Sequence, residues 1–240
     1  EVEQMNLFKD MVCYQEEVRD PSRMAEVLNR VIQKAFRGSA PAQINVPRDY
    51  WTQVVDIELP PIVRLERQAG GSDSVNKAAK LLSEAKFPVI LSGAGVVIGG
   101  AIDDCKKLAE KLDAPVCNGY QHNDSFPGSH PLAVGPLGYN GSKAAMQLIE
   151  KADVVLALGT RLNPFSTLPG YGIDYWPKKA SIIQVDMNPD RIGLTKNVTV
   201  GICGDAKLIA QQLLSKLSSE AGNQGREERK NLIHQTKSGW

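Results

Sequence analysis

The 240-residue chain sets 28 Lys and Arg against 27 Asp and Glu, with 23% charged and 42% hydrophobic residues, the balance of an ordinary globular protein that can bury a core without disulfide or metal staples. A net charge of +1 argues against nucleic acid or an anionic membrane as partner. No apolar run nears the roughly 18 residues that cross a bilayer, and the acidic start Glu1-Val2-Glu3 does not read as a signal peptide, so the expected location is the cytoplasm.

Near the start, Asp20 is placed to cap a helix that begins at Pro21 and turns Met24, Val27, Leu28, Val31, Ile32, Ala35 and Phe36 to one side, with Gly38 as its stop. A short strand, Gln43 to Val46, follows and ends at Pro47. One helix and one strand are too little for a domain, so residues 1–59 read as part of something larger. The prolines and glycines Pro60-Pro61 and Gly70-Gly71 bound an expected linker over residues 60–72.

From residue 73 to 219 helical and strand patterns alternate. A helix buries Val75, Ala78, Ala79, Leu82 and Ala85; strand Val89–Leu91 leads through glycines into a helix with Ile102, Cys105, Leu108, Ala109 and Leu112 inward. Strand Pro115–Cys117, a long loop from Asn118 to Gly141, and a helix through Ala144 to Ile149 come next. Val154–Leu158 is an unbroken apolar run, as in a parallel strand covered on both faces. Ile182–Val185 and Val198–Val200 add strands, and Leu208 to Leu214 lie on a closing helix. The expected fold class is α/β, a doubly wound, mostly parallel Rossmann-like sheet preceded by a partial α/β segment. Residues 220–240 turn polar and read as a linker.

Candidate chemistry gathers at predicted strand C-ends, where open α/β sheets bind ligands. Gly93-Ala94-Gly95 follows a strand and precedes a helix, which suits a phosphate facing backbone N–H groups, or else only tight helix–sheet packing. Gly159-Thr160-Arg161 adds a guanidinium able to clamp an anion. Asp186 could accept ribose hydroxyls or shape a turn before Asn188-Pro189; Asp205 could join the crevice or simply cap the last helix. His122 and His130 lack a third clustered metal ligand, so no metal site is expected; the loop from Tyr120 to His130 is rich in groups able to do acid–base work, but no catalytic triad, phosphate loop or zinc spacing is present that would assign a catalytic residue. Cys13, Cys105, Cys117 and Cys203 read as reduced thiols.

In order, Gly93–Gly95, Pro115–Val116, Gly135–Gly138, Ala152–Arg161, Val185–Pro189 and Gly204–Ala206 resemble the central domain of the thiamine-diphosphate-dependent enzymes of the acetolactate synthase type. The stretches 4–12, 120–124 and 161–172 resemble members of that family acting on sulfoacetaldehyde. The resemblance implies that residues 1–59 end a pyrimidine-binding domain, that 73–219 are the central domain, and that 220–240 lead towards a diphosphate-binding domain outside this chain. It implies thiamine diphosphate and Mg²⁺ as cofactors of the intact homo-oligomeric enzyme and none in this piece, with sulfoacetaldehyde and phosphate as substrates. It also implies that the crevice of Gly93, Ala94, Gly95, Gly159, Thr160, Arg161, Asp186 and Asp205 holds FAD or an ADP moiety in some relatives. Acetyl transfer needs no flavin, so here the expectation is a relic filled by side chains or water. The residues leave two further readings open, a nucleotide-binding regulatory module and a scaffold without ligand, and the resemblance leaves a third, another carboligase or decarboxylase of the acetolactate synthase type.

Overall fold

A computed structural model describes residues 2–61 and 66–238, which form two compact units, Glu1–Leu65 and Glu66–Trp240. In the first, α1 (Gln4–Phe8) precedes β1 (Tyr14–Glu17), α2 (Met24–Gly38) and β2 (Ala42–Asn45). The two strands pair in parallel, Tyr14 opposite Ala42 and Glu17 opposite Asn45. The Asp20 carboxylate accepts the Ser22 amide, but the first turn is 3-10 over Pro21–Arg23, so the α-helix starts at Met24 rather than Pro21. Termination passes from the expected Gly38 to Ser39 in the left-handed region (φ 46°), whose N–H reaches the Ala35 and Phe36 carbonyls.

Of the seven apolar residues expected inside α2, only Val27 and Val31 are buried, packing with Val18, while Leu28, Ile32 and Phe36 stay exposed. Met24 packs at the edge of this cluster, and with only two strands in the unit's sheet Leu28, Ile32 and Phe36 stay outside the core among the described residues. β1 escapes sequence reading because Gln15, Glu16 and Glu17 look polar; the Gln15 side chain bonds Gln43 across the strands, and Tyr14 and Glu16 bond each other. Residues 62–65 of the expected linker lie outside the described residues. Its later part is not free: the Gln68 carbonyl accepts the Asp205 amide, and Gln212 donates to the Ala69 carbonyl.

The second unit comprises α3 (Ser72–Glu84), β3 (Pro88–Ser92), α4 (Ala94–Ile98), α5 (Ile102–Leu112), β4 (Val116–Asn118), β5 (Ala133–Pro136), α6 (Lys143–Glu150), β6 (Val154–Leu158), α7 (Pro164–Thr167), β7 (Ser181–Asp186), β8 (Val200–Cys203), α8 (Ala206–Lys216) and α9 (Arg226–Ser238). All six strands are parallel, in the order β5-β4-β3-β6-β7-β8, the doubly wound arrangement whose strand order reverses between β3 and β6. Every residue of β3 and β6 is buried. Ile90, Leu156 and Ile183 face the α3, α5 and α8 layer, while Val89, Val155 and Ile182 face the layer of α6 and α9. This alternation explains why the strands read as continuous apolar runs.

Two expectations need correction. The loop expected from Asn118 to Gly141 contains β5, missed because Ala133-Val134-Gly135-Pro136 is short and ends in residues that weaken strands. The 220–240 segment, expected to be a linker, carries α9, which docks through Ile233 and a fully buried Arg229. That guanidinium donates to the carbonyls of Lys86 (2.5 Å), Gly222 (2.6 Å), Gln224 (2.8 Å), Leu112 (2.9 Å) and Asp113 (2.9 Å), so all five of its N–H groups find acceptors. Leu112 and Asp113 end α5, where a helix presents unpaired carbonyls and favours a cation.

Candidate functional site

The reversal point between β3 and β6 puts Gly93 and Gly159 side by side, each just past a strand C-end. Their packing is too close for other residues. A Cβ on Gly93 would lie 2.5 Å from the Thr160 Cβ, and one on Gly95 would lie 2.7 Å from the Gly159 Cα. Gly159 has φ +61°, a conformation costly for a side chain. The Gly93 amide donates to Leu158 and the Gly95 amide to Gly159 at 2.8 Å, while Val96 bonds back to Gly93. These donors, expected to face an anion, are spent on holding the loops together. α4 is only five residues long, because Gly99 and Gly100 (φ +64°) separate it from α5.

The carboxylates are likewise engaged. Asp186 Oδ1 accepts the Asn188 amide at 2.9 Å, shaping the turn into Pro189. Asp205 Oδ1 accepts the amides of Lys207 (3.0 Å) and Leu208 (3.1 Å), the N-cap of α8. Arg67, from the stretch read as linker, lies 3.2 Å from the same carboxylate and donates to the Gly99 carbonyl at 2.6 Å. No local pattern marks Arg67 as its partner; only the fold brings positions 67 and 205 together. Gly93, Gly95, Gly159 and Thr160 form one contact group, Asp205 lies beside Gly99, and the Asp186 carbonyl accepts the Gly204 amide. Arg161 is exposed.

The 118–132 loop is organised by buried polar contacts. Ser92 and Ser125 exchange hydroxyl-to-carbonyl bonds at 3.1 Å, and Asn118 donates to Ser125 and to the His122 carbonyl. Tyr120 stacks on Phe165 at 5.8 Å. His122 and His130 serve no common site: His130 Nε2 lies 3.2 Å from Glu110, and its Nδ1 accepts the Leu132 amide. That acceptor role selects the tautomer with its proton on Nε2. Cys105 and Cys117 are fully buried, and that burial pushes the Cys105 thiol up to about 12 and raises that of Cys117 as well. Among the described residues no group of three or more His, Cys, Asp and Glu could hold a metal ion. No helix among them is long and apolar enough to cross a membrane.

Comparison with known proteins bears on this geometry. Residues 75–213 match the family described as thiamine pyrophosphate enzyme, central domain. A sulfoacetaldehyde acetyltransferase of Roseovarius nubinhibens is 75% identical over 240 residues, covering 100% of this chain and 40% of the relative. An acetolactate synthase of Mycobacterium bovis is 29% identical over 204 residues, 81% of this chain and 32% of that protein. The crystal structure of benzoylformate decarboxylase from Polynucleobacter necessarius superposes with a TM-score of 0.77 at 22% identity over 93% of this chain and 42% of that one, a likeness of fold. The chain spans about 40% of the length of the curated relatives that it matches from end to end. With a family match over most of its six-stranded unit and the doubly wound order of that sheet, the chain belongs to the thiamine pyrophosphate enzymes and carries their central domain.

Proposed function

We propose that this chain is part of a thiamine-diphosphate- and Mg²⁺-dependent acetyltransferase that converts sulfoacetaldehyde and phosphate to acetyl phosphate and sulfite. The observation that carries this reading is 75% identity to a sulfoacetaldehyde acetyltransferase along the whole chain, against 29% to an acetolactate synthase. In this reaction the C–S bond breaks and sulfite leaves with the electron pair; the methylene carbon becomes a methyl, the aldehyde carbon becomes an acyl carbon, and phosphate takes the acyl group. The aldehyde carbon is oxidised as its neighbour is reduced, so no external oxidant is needed. A bound thiamine diphosphate supplies the carbanion chemistry. In this reading its diphosphate and metal ligands come from other segments of the intact enzyme.

In this reading residues 1–59 close a pyrimidine-binding domain and 73–219 are a central domain that supports the catalytic ones. The intact enzyme is a cytoplasmic homo-oligomer. Its strand-end crevice, Gly93, Ala94, Gly95, Gly159, Thr160, Arg161, Asp186 and Asp205, acts as a packing joint, because its glycine amides and carboxylates already have protein partners. The test is an assay of the full-length enzyme with thiamine diphosphate and magnesium. Sulfite and acetyl phosphate should appear in equal amounts from sulfoacetaldehyde and phosphate, and acetolactate formation from pyruvate without sulfite release would overturn the reading.

A further inference from the structure

A cavity of about 720 Å³ opens at the opposite edge of the same sheet, where the chain enters β4 and β5. Its floor is apolar, made by Pro131 and Leu132 ahead of β5 and by Ile233 of α9, which is 5% exposed. Glu110 and Asp113 from the end of α5, and Lys230, His234 and Lys237 from α9, supply polar groups around it. Small-molecule sites combine such an apolar floor, a volume of roughly 300–1,000 Å³ and a few polar groups that orient the ligand.

The charges around this cavity are not equally satisfied. Glu110 lies 3.2 Å from His130 and 3.9 Å from Lys106; Asp113 pairs with Arg226 and lies 4.0 Å from Lys230. Lys237 differs. Its Nζ donates to the carbonyls of Pro131 (2.8 Å) and His130 (3.4 Å), and among the described residues no carboxylate pairs with it. Burial pulls its amine below the ordinary lysine value, as for a cation withdrawn from water without a counter-charge. An ammonium has three N–H donors, and the two carbonyls leave one over.

We propose that this cavity binds a small amphipathic monoanion, its apolar body on Pro131, Leu132 and Ile233 and its carboxylate or sulfonate head on Lys237. An anion there would give a partly buried cation its counter-charge while covering apolar surface, and neither gain is open to a neutral or purely polar solute.

The test is titration of the full chain, methyl-labelled at Ile and Leu, with octanoate, octanesulfonate and 1-octanol, followed by NMR. Both anions should saturate a site reported by the Leu132 and Ile233 methyls, with octanol about tenfold weaker for want of the charged hydrogen bond. Lys237→Gln should bring both anions to the octanol level, and Lys237→Arg should retain them. If Lys237→Gln does not fold, the comparison of anions with octanol on the unaltered chain still decides. Absence of a saturable shift at Leu132 and Ile233, equal binding of octanol and the anions, or undiminished anion binding by folded Lys237→Gln would overturn the proposal.

Discussion

Arg229 shows how much one side chain can hold. It is 0% exposed, and its five donors join the end of α5, the approach to β3 and the 222–224 turn through main-chain carbonyls. Glycine at positions 222 and 225 makes room, since a Cβ there would lie 2.7 Å from the Lys111 carbonyl and 2.9 Å from that of Lys86. Arg229→Met would keep the volume but strand these acceptors away from water, at a cost of about 3 kcal/mol or more. Lysine, with three donors against five, should recover only part. Urea unfolding of the full chain checks this: a midpoint for Arg229→Met within error of the parent would show that the carbonyls find other partners.

At the scale of elements, α2 and α5 contrast. Both are strongly amphipathic, yet α5 buries Cys105, Leu108, Ala109 and Leu112 between sheet and α8, whereas α2 leans on two strands and braces itself with ions. Arg30 bridges Glu16 and Glu26, and Arg23 pairs with Glu26. Hydrogen bonds from Arg23, then Arg30, hold the Glu26 carboxyl down at about 2, against an ordinary 4.5. A carboxylate whose pKa is depressed by folding stabilises the folded state above its unfolded pKa and loses that contribution as pH falls through the folded one. The advantage of the parent over Glu26→Gln should therefore be constant above about pH 5 and vanish towards about pH 2. It should also shrink in salt, because these groups are exposed. Midpoints of the first unit's unfolding in both chains, at several pH values, measure it; an advantage that grows on acidification would contradict the assignment.

For the whole molecule, the two units differ greatly in what they bury. The first has Val18, Val27 and Val31; the second packs both faces of a six-stranded sheet. Fully burying such a side chain contributes roughly 1.5–3 kcal/mol, so the first unit has little to set against its conformational entropy. Unfolding in urea should proceed in two steps, with amides of Tyr14–Glu17 and Ala42–Asn45 losing hydrogen-exchange protection well before those of Pro88–Ser92 and Val154–Leu158. Simultaneous loss in all four strands would show a single cooperative unit instead.

Much of this was legible in the sequence because the information was local. The apolar run Val154–Leu158, the spacing of Val75, Ala78, Ala79 and Leu82, and the Asp205 cap each declare themselves within a few residues, and together they predict a doubly wound parallel sheet. What sequence left open were choices between partners. Gly93 and Gly95 are compatible with a phosphate or with a neighbouring loop, and the sequence carries no sign of the close approach of Gly159 and Thr160 that the fold brings about. Asp186 and Asp205 could face a ligand or a backbone amide, and in the structure Oδ1 of each accepts an amide of the following turn. The seven apolar residues of α2 announce a buried arc, but how much is covered depends on how many strands lie beneath it. Arg229 looks like one more charge in a polar tail, because three of its five accepting carbonyls come from positions 86, 112 and 113, more than a hundred residues away. Periodicity and capping are properties of neighbours along the chain, whereas satisfaction of a charge or a glycine is a property of neighbours in space, which only the tertiary structure supplies.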